Sequence, residues 1–339
     1  MKATKGHDIL IGNGKANYIE GWAGDDLIKG KGRPDKIAGH VGDDTLYGAG
    51  GRDTIWGHPG DDKIYGGAGA DLLQGHVGND QIWGDGGDDT IDGGEGDDLL
   101  YGGLGNDQIS SQAGNDHIWG DAADDTVNAG PGNDIIYGGD DRDTINGSDG
   151  DDVIFGGPGG DNLPDRSGNV GPRGRQGPGG LLGGPGNDRV YGEDGNDRVS
   201  GHDGDDYLDA GPGNDVISGG EGNDVIIDGD GDDNIKGDEG NDTIFAGSGA
   251  DKIWLEEGDD TVYLFADGVA NGIRCDDLDT AEQRAQQGLN DRVVYIGPRD
   301  PLDVIWPSCE TIESIDFLPP GWPYGPTAGI NARPIDTPR

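Results

Sequence analysis

From Leu10 to Val262 an apolar residue returns at every ninth position, through Ile19, Ile28, Ile37, Leu46 and Ile55, and only Pro172 breaks the run of 29. Two places before each stands an acidic column: stepping by nine from Asp8 to Asp260 meets Asp at 26 of 29 positions, Asn17 once, and unrelated residues only at Val170 and Gly179. The register does not drift. Each apolar residue U sits in a short x-U-x triplet, whose middle side chain points to one face of a strand while its neighbours point to the other. The Gly-rich stretches between triplets can turn sharply, because Gly reaches positive φ without a Cβ clash. This pattern predicts short strands and tight turns in strict alternation. Two nine-residue units make one 18-residue coil, and stacked coils bury U as two inner columns.

Composition decides what else the fold needs. Among 339 residues there are 72 Gly and only 31% hydrophobic residues, too little for a conventional core. One inward side chain per nine residues does not offset the ordering of nine residues. The chain is therefore either disordered or held by something other than burial. A formal net charge of −45 opposes compaction unless cations bind, and excludes nucleic acid as a partner. Residues 1–10 carry no apolar stretch of signal-peptide length, and no run of 18 apolar residues suggests membrane insertion.

The turns hold the compensating chemistry: aspartate carboxylates at coil spacing, beside Gly carbonyls that no side chain shields. Such hard oxygen ligands suit Ca²⁺ better than zinc or copper. The unit reads G-G-x-G-x-D-x-U-x, as in Gly84–Asp89 followed by Thr90-Ile91-Asp92, and covers about three quarters of the chain. It resembles the calcium-binding nonapeptide of RTX, or haemolysin-type, proteins. The resemblance implies an all-β, right-handed parallel β-roll with two repeats per coil. It also implies ions lying between successive turns on one edge, bound by Asp side chains and backbone carbonyls from both. The candidate metal ligands are Asp8, Asp26, Asp35, Asp44, Asp53, Asp62, Asp71, Asp80, Asp89, Asp98, Asp107, Asp116, Asp125, Asp134, Asp143, Asp152 and Asp161, then Asp188, Asp197, Asp206, Asp215, Asp224, Asp233, Asp242, Asp251 and Asp260.

Pairing positions 18 apart gives two edge tracks, one holding Asp8 and Asp26, the other Asn17 and Asp35. They offer at most 12 and 11 gaps, and twenty-three divalent ions nearly cancel the net charge of −45. The Gly two places before Asp is replaced by Lys15, Arg33, Ala123 and Asp141 on the second track, so the sites there are expected to be weakest.

Other features stand beside the repeat. The position after U on the first track is aromatic for seven coils: Tyr47, Tyr65, Trp83, Tyr101, Trp119, Tyr137 and Phe155, resumed by Tyr191, Phe245 and Tyr263. Strand stacking explains such a column, and the sharper alternative is a docking face for a partner protein, a glycan or a second copy. His40, His58, His76 and His202 share the second repeat position, a tolerant turn site whose imidazoles would otherwise bind a metal or sense pH. The expected domains are a first β-roll block over 1–161, a degenerate Gly/Pro-rich coil or loop over 162–184, and a second block over 185–263. A C-terminal cap over 264–318 and a Pro-rich, disordered tail over 319–339 follow. The cap is expected to hold a short helix near Thr280–Gln287 and strands at Val293–Ile296 and Val304–Trp306, with Cys275 and Cys309 able to form a disulfide.

No H-E-x-x-H or G-x-S-x-G motif occurs, and catalysis is not expected. The expectation is a secreted or cell-surface calcium-binding protein, structural, adhesive or self-assembling, that folds as it binds Ca²⁺. The rival is an accessory calcium-binding module that assists secretion and folding of an upstream enzyme or toxin.

Overall fold

The computed structural model describes residues 3, 5–161, 180–265, 269–275, 291–296, 301–305, 309 and 311–315. It falls into two units, one holding residues 1–157 and the other 158–162 and 180 onward. The expected helix near Thr280–Gln287 and the Pro-rich tail lie outside the described residues. All described elements are strands, and every pairing is parallel, as a β-roll requires.

In the first unit, alternate triplets feed two different sheets. Strands Ile9–Ile11, Leu27–Gly32 and Thr45–Gly50 begin one sheet, which runs to Val153–Phe155. Strands Tyr18–Ala23, Lys36–Val41 and Thr54–Pro59 begin the other, which runs to Thr144–Asn146. Each residue pairs with the one 18 places on: Ile28 lies beside Leu46, and Leu46 beside Ile64. The U side chains form the core, and from Ile19 to Ile154 none is more than 3% exposed.

The second unit repeats the arrangement. One sheet runs from Leu181–Pro185 through Arg198–Asp203 and Val216–Glu221 to Val304–Ile305; the other runs from Arg189–Tyr191 through Tyr207–Asp209 to Thr311–Ile315. Near its start the coil count skips. Asp161 donates its amide to Asp197 Oδ1, 36 residues on instead of 18, and its carbonyl accepts from Arg198. Residues 162–179, most of the segment expected to be a degenerate coil or loop, lie outside the described residues, and the strand register resumes at Leu181.

Past Tyr263 the nine-residue count ends, yet the sheets continue. Gly272–Arg274 pairs with Lys252–Glu257, and Arg292–Ile296 pairs with Thr261–Phe265. Insertions lengthen these coils while the pairing persists. A disulfide joins Cys275 to Cys309, with Cα atoms 5.0 Å apart.

Candidate metal centre

Numbering the repeat from its first Gly, aspartate is position 6, at the mouth of the turn where the chain enters the next strand. Of the 26 position-6 aspartates, 25 are at most 3% exposed, and Asp8 in the first coil is half-buried. Burying an acidic side chain so completely needs a reason, and each carboxylate oxygen has its own.

Oδ1 serves the backbone. Within the regular coils the amide of a position-6 residue donates to Oδ1 of the aspartate one coil later: Asp26 to Asp44, Asp44 to Asp62 and Asp62 to Asp80, all at 2.7 Å. The other edge carries the same ladder, with Asp35 donating to Asp53 at 2.6 Å and Asp71 to Asp89 at 2.7 Å. The aspartate carbonyl accepts from the residue after the aspartate one coil later, as the Leu27 amide donates to the Asp8 carbonyl at 2.9 Å.

Oδ2 is different. From Asp26 to Asp107, and again at Asp125, Asp134, Asp197, Asp206, Asp215, Asp224, Asp233 and Asp242, it is buried and has no hydrogen-bond partner within the protein. Where position 1 of the repeat is Gly, as it is in most coils, Oδ2 faces that residue. A Cβ added to Gly75 would lie 2.1 Å from Asp80 Oδ2 and 2.6 Å from the carbonyl oxygen of Gly93 on the next coil. The missing side chain thus leaves a cradle between a carboxylate and a carbonyl of the following coil. At position 4 the backbone itself is left-handed, with Gly42 at φ 131° and Gly60 at φ 146°.

The electrostatics agree. Burial pushes the carboxyl pKa of Asp62 up to about 8, Asp98 to about 8 and Asp215 to about 9; the incoming amide hydrogen bond opposes the rise, and neighbouring aspartates add to it. Without a counter-charge the folded state resists ionising its own ladder. Buried oxygen donors alone, anionic and without protein partners, are the donor set of a hard cation such as Ca²⁺.

The sequence matches the RTX calcium-binding nonapeptide repeat in overlapping blocks over residues 3–35, 38–163 and 182–262. The chain belongs to that family. Repeats of the RTX type bind calcium, and the carboxylate columns of this roll fit that ion. Comparison with curated proteins gives no match.

The RTX roll also shows residues that the repeat consensus passes over. Position 5, written as x, is Asp or Asn in most coils, and its Oδ1 accepts the amide of position 5 on the next coil: Asp43 donates to Asp25 at 3.2 Å, Asp61 to Asp43 at 3.0 Å and Asn79 to Asp61 at 2.8 Å. The recurring GDD and GND triplets carried this signal. Beyond the last regular repeat the position-6 ladder continues through Asn271, Asp291 and Asp303: Asp251 donates to Asn271 at 2.9 Å, Asp260 to Asp291 at 3.1 Å and Asn271 to Asp303 at 2.9 Å. Three of the four substituted position-4 residues, Arg33, Ala123 and Asp141, hold φ of 105°, 88° and 77° without the freedom of Gly.

The aromatic column of the first unit is a continuous stack from Tyr47 to Phe155, with ring centroids 4.5 to 5.7 Å apart and planes within 7° of parallel. Ring faces meet ring faces, which leaves edges outward. In the second unit Phe245 and Tyr263 stack, Tyr191 meets Tyr207 at a tilt, and Phe245 is buried beside Ile227. The expected resumption of an exposed column is therefore partial. His40, His58 and His76 also stack, at 4.9 and 4.8 Å, with Trp22 at one end. Burial, then the neighbouring imidazoles, lowers the pKa of His58. Among the described residues these histidines do not bring three ligand atoms together.

Proposed function

We propose that the chain is an extracellular calcium-binding repeat protein that folds as Ca²⁺ binds, with a structural, adhesive or surface-assembly role. The observation that carries this reading is the column of buried Oδ2 atoms without protein partners. A desolvated carboxylate without counter-charge is costly, and a column of them opposes folding until cations arrive. Each ion would take position-6 aspartates of two successive coils on one edge, with backbone carbonyls beside them. The 26 aspartates then act as a set, and about twenty-three ions is the upper bound that nearly neutralises the charge of −45. Sites next to Lys15, Arg33, Ala123 and Asp141 bind most weakly. Binding and folding are one equilibrium, so the roll forms where calcium is plentiful, outside the cell, and opens where it is scarce.

The test is far-UV circular dichroism with sedimentation velocity, first in EDTA and then in about 5 to 10 mM CaCl₂, a range suited to weak extracellular sites. A coil-to-β change with compaction supports the proposal, and growth in mass with calcium supports assembly. A chain that is already folded in EDTA and indifferent to calcium overturns it.

A further inference from the structure

Position 1 of the repeat is Gly in most coils, and the reason is steric. A Cβ on Gly219 would lie 2.3 Å from Asp224 Oδ2, and one on Gly237 would lie 2.4 Å from Asp242 Oδ2. Any side chain placed here is delivered onto the carboxylate five residues later. Among the described residues the departures from Gly are small or apolar, as at Ser111, Ala129 and Leu255, with a single acidic exception, Asp228.

Asp228 is fully buried. Its Oδ1 accepts the amides of Gly229 and Gly247, both at 2.7 Å, whereas its Oδ2 is buried with no partner. Five residues on, Asp233 Oδ1 accepts the Asp215 amide at 2.7 Å, and its Oδ2 is likewise buried with no partner. Asp251 is the position-6 aspartate of the next coil on the same edge. One oxygen from each of the three carboxylates lies within 4.8 Å of the others, the only such group among the described residues. A third negative charge has been put where Gly would serve the fold, away from water and against two like charges. A proton or a cation held among them removes that cost, and the cation satisfies all three carboxylates at once.

We propose that Asp228, Asp233 and Asp251 form a three-carboxylate cation site that binds calcium on the order of tenfold or more tighter than the two-carboxylate positions of the repeat. The inference rests on the calcium reading above and singles out one site within it. Elsewhere two aspartates from successive coils share an ion with backbone carbonyls; here position 1 adds a charged ligand, and calcium affinity rises with ligand charge. This ion stays bound when calcium has fallen too low to fill the other sites, and it keeps a folded nucleus in the second unit.

Equilibrium dialysis of the full chain against calcium alone tests this, with Asp228→Gly and Asp228→Asn as variants. Asp228→Gly restores the commonest residue at its position and leaves the turn able to fold. At about 10 µM free calcium the wild type is expected to retain one ion more than either variant, and at about 10 mM all three fill and fold by circular dichroism. Equal retention by the three chains at low calcium overturns the site and leaves calcium-driven folding intact. If neither the wild type nor Asp228→Gly folds or binds at the higher concentration, the broader calcium reading fails and this inference fails with it.

Discussion

The amide of Asp80 donates to Oδ1 of Asp98 at 2.7 Å, one coil later, and Oδ2 of Asp98 is left buried against the bare Cα of Gly93. One carboxylate thus closes the backbone of the coil before it and offers a charged ligand to an ion. The two roles separate by substitution. Asp98→Asn keeps an oxygen for the Asp80 amide and loses the charge, so the midpoint of calcium-induced folding moves to higher calcium. Asp98→Ala also orphans the buried amide and costs about 1–3 kcal/mol more. Urea titrations at saturating calcium rank wild type above Asn above Ala; equal values for Asn and Ala would remove the hydrogen bond from the account.

The raised carboxyl pKa values set the pH dependence of the metal-free roll. An unfolded aspartate titrates near 3.8, whereas folded Asp62 and Asp98 titrate near 8. Between these values the folded state binds more protons than the unfolded one, so stability without metal falls as pH rises through the window and is lowest above about 8. A chain unfolded in EDTA at pH 8 is expected to gain β-structure on acidification toward pH 4, as followed by circular dichroism. With calcium the sign reverses, because protons displace the ion. A metal-free chain whose spectrum is flat across the window would show that these carboxyls do not control the fold.

Arg33 and Asp141 occupy left-handed turn positions, at φ 105° and 77°, where most repeats, Gly51 of the coil after Arg33 among them, have Gly. Arg33→Gly is expected to raise stability at saturating calcium by about 1–2 kcal/mol, the strain that a Cβ adds there. In the opposite direction, Gly42→Ala places a Cβ 2.6 Å from the Gly24 carbonyl oxygen at φ 131°, and loses more than that. Urea titration reads both.

Tyr101 lies between Trp83 and Trp119, at centroid distances of 5.4 and 4.5 Å with nearly parallel planes. Tyr101→Ser removes both stacks and lowers stability by about 1–3 kcal/mol, taking each pair at about 0.5–1.5 kcal/mol. Sedimentation of the same variant gives a second readout. Loss of self-association at unchanged stability would assign the column to docking instead of stacking.

The strand register, the two edges and the inward U columns were all legible in the sequence, because a fixed spacing of nine repeats one physical environment many times. Three things escaped that count. The position-5 ladder, as between Asp43 and Asp25, was overlooked because Asp and Asn alternate there while position 6 is nearly uniform. Asn271, Asp291 and Asp303 extend the ladder across insertions that break the spacing but not the pairing. Asp228 was hidden by composition: one more aspartate in an acidic chain means little until its place against Asp233 and Asp251 is seen.

The two side-chain ladders run in opposite directions. Asp61 reaches forward to accept the amide of Asn79, whereas Asp80 reaches back to accept that of Asp62. Each coil therefore leans on both neighbours: its position-5 amide is answered from the coil before it and its position-6 amide from the coil after it. A coil with a neighbour on one side alone keeps one of these two amides unanswered, so the arrangement is polar along the chain, and removing a coil is felt differently by the coil before it and the coil after it.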